Sequence, residues 1–98
     1  RLDTETDATE REIDAEVARA HHALTANLQM VDTMERDVLP AAESAVDLIT
    51  QGWRAGKFDL FRVIQASREA SEARRNQLES LGALWQAAIA VDRATGTP

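Results

Sequence analysis

Two imidazoles stand side by side at His21–His22, and they are the chain's whole histidine content. Imidazoles serve general acid–base chemistry or metal ligation. On a helix, adjacent positions point about 100° apart, so this pair does not converge on one ion from a single helix. A metal site would need acids from another segment, and no HxxxH or HExxH spacing exists to build one locally. Carboxylates are plentiful, 17 against 11 basic side chains, but they sit at helical distance from arginines. Asp32 with Arg36 and Glu72 with Arg75 are ordinary surface pairs. No nucleophile is spaced with a base, no glycine-rich loop cradles phosphate, and no carboxylates pair in an apolar setting. The sequence therefore predicts no catalytic residues, no metal ligands and no cofactor, and reads as something other than an enzyme.

The elements that carry these residues are helical. Alanine fills eighteen of 98 positions, while glycine and proline together number six, the profile of a long helix or coiled coil. A net charge of −6 with scattered arginines excludes general nucleic-acid binding. The longest apolar run, Ala87–Val91, is five residues, far short of the roughly 20 of a membrane span, so no membrane contact is expected of this segment. Cysteine is absent, which removes disulfides and thiolate sites. With neither an initiator Met nor a signal peptide, the chain reads as a piece of something longer.

Charge is unevenly placed. Residues 1–16 hold seven acids against Arg1 and Arg11, suited to a solvated helix start. In residues 54–68, Arg54, Lys57, Arg62 and Arg68 face only Asp59. Between these regions the helical period is regular. Val17, Leu24, Val31, Val38 and Ala45 recur every seven residues, interleaved with Ile13, Ala20, Asn27, Met34, Ala41 and Leu48. Only Asn27 breaks this coiled-coil stripe. Pro40 predicts a kink or restart near Leu39. Gly52 and Gly56, followed by Asp59 as N-cap, predict a helix stop, a tight reversal and a new start.

The expected architecture is all-α: a long antiparallel helical hairpin with a helix over about 5–53, a tip at 54–58 and a helix over about 59–95, closed by Gly96 and Pro98. At 1.5 Å per residue and about 40 residues per helix, the rod would be near 60 Å long. The second helix has two seams. One reads Leu60, Ile64, Ser67, Ser71, Arg74, Leu78, Leu81, Trp85, Ala88; the other reads Val63, Ala66, Ala70, Ala73, Gln77, Ser80, Leu84, Ala87, Val91. A two-helix hairpin needs only the first. The second, rich in Ala and Ser, predicts close approach by a further helix, and so packing into a bundle or α-barrel.

The turn carries the most specific signal. Trp53-Arg-Ala-Gly-Lys-Phe-Asp-Leu-Phe-Arg-Val-Ile-Gln-Ala-Ser-Arg68, preceded by Val38–Leu39–Pro40 and closed by Ala94–Thr95–Gly96, resembles the outer membrane efflux protein family, the TolC-like outer membrane factors. The Pro and the closing motif favour the second of that family's two hairpins.

The resemblance implies a homotrimer of the Gram-negative outer membrane with a periplasmic α-barrel, in which this hairpin forms tunnel wall. It implies docking of a periplasmic adaptor (membrane fusion) protein, and through it an inner-membrane pump, on a tip made of Trp53, Arg54, Ala55, Gly56, Lys57, Phe58, Asp59 and Leu60. Where the family usually carries acids after the tip, this chain has Arg62 and Gln65, candidates for the lumen and gate. A stand-alone coiled-coil interaction module is the alternative. A phosphotransfer hairpin of the histidine kinase type fits poorly, because His22 is followed by Ala23–Leu24 and the nearest downstream proline is Pro40.

Overall fold

A computed structural model describes residues 2–96, with side chains from Thr4 onward; Thr97 and Pro98, the end of the expected closing motif, lie outside the described residues. The described residues form no strand. Helix α1 spans Leu2–Thr33, a five-residue π-helical turn spans Met34–Val38, α2 spans Leu39–Arg54, and α3 spans Leu60–Thr95. The first arm runs through the π-turn into α2, and α3 returns antiparallel beside it: an all-α hairpin. The molecule measures 79 × 22 × 18 Å, longer than the expected rod because its arms are unequal. The arm from Leu2 to Arg54 overhangs α3, whose end reaches only to Glu16, Arg19 and Ala20. Residues 4–16, with most of the acidic segment, are accordingly exposed, Ile13 among them.

The seam of α1 lies where the heptads put it. Val17, Ala20, Leu24, Asn27, Val31 and Met34 are covered or half-covered. Asn27 satisfies its own amide by donating from Nδ2 to the Ala23 carbonyl at 2.7 Å. Beyond Met34 the heptads drift out of phase. Val38, Ala41 and Leu48 are exposed, Leu48 at 66%, and Ala45 is half-covered, while Leu39, Ala42, Val46 and Ile49 are covered on the side of α3. The π-turn is the cause. Leu39 donates its amide to the Met34 carbonyl, five residues back, so one extra residue enters the turn and every later position is displaced by one. Pro40, at the second position of α2, has no amide to offer and needs room for its ring against the preceding turn; the widened turn supplies it.

The two seams of α3 exchange their expected roles. Ala66, Ala70, Ala73 and Ala87 are buried against the first arm, with Val63, Gln77, Ser80, Leu84 and Val91 half-covered beside them. Leu60, Ile64, Leu78 and Trp85 stand open, Trp85 at 71%, and of the larger residues only Leu81 is half-covered. Alanines let two backbones approach closely, which leaves no space between the arms for the bulkier row. The hairpin core is thin: no large side chain is fully buried. The accessible surface, 7713 Å², exceeds by about 2,200 Å² the roughly 5,500 Å² of a compact monomer of this mass. That excess is the size of a full protein–protein interface.

Candidate functional site

The hairpin end is built by two capping devices. Ala55 ends α2, Gly56 follows at φ 77° in the left-handed region, and two amides turn back: Gly56 to the Trp53 carbonyl at 3.0 Å and Lys57 to the Gly52 carbonyl at 2.7 Å. This pair of bonds is a Schellman cap, which favours glycine at the left-handed position. Asp59, extended at φ −84° and ψ 167°, then starts α3, its Oδ1 accepting the Arg62 amide at 3.2 Å. Five residues, 55–59, therefore reverse the chain with its orphan backbone groups largely satisfied.

Phe58 closes the end. A Cβ built on the buried Gly52 would overlap the Phe58 ring, so the aromatic lies on a bare helix backbone that only glycine presents. The Arg62 guanidinium carbon also sits 4.6 Å from the ring centroid, a cation–π contact. Gly52 and Arg62 thus both contact Phe58, tying α2 to α3 across the turn. Gly52 was legible in the sequence as a helix-stop glycine; its role as a seat for Phe58 was not.

Around Phe58 the tip is charged and apolar by turns. Trp53 is 41% exposed, Leu60 is open, and Phe61 is 80% exposed, the most uncovered large apolar side chain of the described residues. Phe61 belongs to neither seam of α3, and that off-seam position is the signal that marks it as a further tip residue. Arg54, Ala55, Gly56 and Lys57 are exposed beside these, and Arg54 lies in the last turn of α2, where its charge complements the helix dipole. Trp53 and Phe58, which the sequence grouped together, divide: Phe58 turns inward onto Gly52 while Trp53 faces out. Arg62 and Gln65 share a shallow groove with Ile49, Ala66 and Glu69, so an acid stands one turn from Gln65 and two turns from Arg62.

Away from the tip, Arg36 pairs with Asp32 at 2.8 Å, and Arg74 reaches across the arms toward Glu43 at 3.7 Å. All four side chains are largely exposed, and such pairs contribute at most about 1 kcal/mol. Glu72 and Arg75 make no ion pair with each other and line the open face of α3 with Val63 and Ile64. His21 and His22 are both exposed, and among the described residues no three potential ligands gather. Nor is any helix there long and apolar enough to cross a membrane.

Comparison with known proteins agrees with the geometry. The model of the outer membrane efflux protein family matches residues 2–97. The cobalt-zinc-cadmium resistance protein CzcC of Cupriavidus metallidurans is 38% identical over 77 residues, which are 79% of this chain and 18% of that protein. The chain thus spans under a fifth of the length of the curated relative it matches. No solved structure gives a significant match.

Proposed function

The chain belongs to the outer membrane efflux protein family, and from that premise we propose that it is a periplasmic helical hairpin of a trimeric outer membrane channel, the second of two such hairpins in a longer protein. It forms part of the tunnel wall and docks a periplasmic adaptor through its tip, coupling indirectly to an inner-membrane pump. It is a conduit without chemistry of its own. The name of the similar cobalt-zinc-cadmium resistance protein favours divalent metal cations as the exported class.

The observation that carries this reading is the open row on α3. Leu60, Ile64, Leu78, Trp85 and Ile89 are exposed along one face, next to the alanine seam already used by the first arm. A helix with an apolar row on a second side is suited to a wall, where each helix meets neighbours on two flanks. In the full-length protein, Leu78→Asp with Trp85→Asp is expected to abolish the trimer in cross-linking and, with it, metal tolerance of the host. A trimer that persists with full tolerance would refute the wall reading.

A further inference from the structure

The first arm carries two apolar rows beyond Met34, one residue apart, and the structure turns three of the four members of the first row, Val38, Ala41 and Leu48, outward while Ala45 stays half-covered at the edge of the seam. Val38, Ala41, Ala45 and Leu48 continue the heptads of α1, whereas Leu39, Ala42, Val46 and Ile49 face α3. What selects between them is the single extra residue in the turn at Met34–Val38. We propose that this π-turn is a register switch: relaxing it to an α-helical turn rotates α2 by about 100°, advances it about 1.5 Å toward the tip, and exchanges the row that faces α3 for the one that faces outward.

Two independent features hold the observed register, one at each end of α2. Pro40 has no amide for an α-helical bond and crowds the carbonyl four residues earlier, so a straight turn through this point is disfavoured. At the other end, Gly52 seats the Phe58 ring. In the alternative register Gln51 takes that place, and its side chain meets the ring. The exchanged rows are both apolar, and the inward row is the bulkier by three side-chain carbons (Leu39 and Val46 against Val38 and Ala45), so packing against the alanines of α3 adds to the preference for the observed register. Two apolar rows on one element, with a discrete local device choosing between them, are what allow a packed element two states. Contact with a neighbouring hairpin or a docked adaptor would then bias the switch through whichever row α2 turns outward. The proposal rests on the tunnel reading only for this use; the register itself is measurable without transport.

This chain has no cysteine, so with any cysteines elsewhere in the full-length protein replaced by serine, introduced pairs report cleanly. Ile49 shares a groove with Ala66, and Ile49→Cys with Ala66→Cys in the full-length protein is expected to form a disulfide readily, while Leu48→Cys with Ala66→Cys stays near background. Adding Pro40→Ala and Phe58→Ala should raise the Leu48 pair by about tenfold or more, given the large penalty proline imposes on an α-helical turn. Deleting Glu35 from that same background removes the extra residue, so the Leu48 pair should return to background and the Ile49 pair recover. A Leu48 pair that does not rise overturns the proposal, and so does one that rises equally with Glu35 deleted.

Discussion

The Phe58 contacts at the hairpin end make a prediction whose sign depends on a second residue. Replacing Gly52 by Ala puts a methyl where the Phe58 ring lies, so the ring must leave. Phe58 is half-covered, and expelling it forfeits about 1 kcal/mol, half the lower-to-middle range for fully burying such a side chain. The contact with Arg62, at an exposed site, accounts for about 0.5 kcal/mol more. Against this, Ala is a better helix residue than Gly by about 0.5–1 kcal/mol. Gly52→Ala alone should therefore destabilise the hairpin by about 0.5–1 kcal/mol. With Phe58→Ala already present there is no ring to expel, and the same change should stabilise by about 0.5–1 kcal/mol. Urea unfolding of the four proteins, followed by helical circular dichroism, gives the coupling directly, expected near 1.5 kcal/mol. If Gly52→Ala has the same sign and size in both backgrounds, the Phe58 contacts are incidental and the tip is held by its caps alone.

How far the sequence discloses this molecule depends on whether a feature is periodic or arises from a turn. The seam through Val17, Leu24 and Val31 was legible because straight helices preserve phase, and Gly56 and Asp59 were legible because capping positions demand their residue types. The phase beyond Met34 was not. Pro40 announced a disturbance, but a kink and an inserted residue leave the same mark in a sequence, and only the Leu39–Met34 bond tells them apart. The roles of the α3 rows were misread for an energetic reason: bulk suggested that Leu78 and Trp85 should be buried first, whereas the two arms gain more by approaching closely over Ala66, Ala70 and Ala73. The seating of Phe58 on Gly52 escaped because contact between residues six apart depends on the turn geometry. Its one sequence signal was a glycine kept in a helix's last turn at a cost in propensity. The phase of α2 and the seat of Phe58 both follow from local backbone events that helical periodicity does not encode, whereas the α3 rows turn on how closely two backbones approach.

Two further predictions concern the tip in the assembled protein. Gly56 holds φ 77°, which a β-branched side chain strongly disfavours, so Gly56→Val should break the cap bonds to Gly52 and Trp53 and, on the proposed reading, abolish adaptor-dependent efflux while trimer assembly is retained. Efflux that survives would make the turn a mere connector. Arg62 is the sharper case, since a ring of arginines at the narrow end would oppose the divalent cations that the relative's name suggests as cargo. If Arg62 faces the lumen, conductance of the trimer bearing Arg62→Asp should shift toward cations, and Arg62→Ala should shift it in the same direction by less. If both variants conduct with unchanged preference, Arg62 lies outside the lumen, and its guanidinium over Phe58 serves to hold the hairpin end in register.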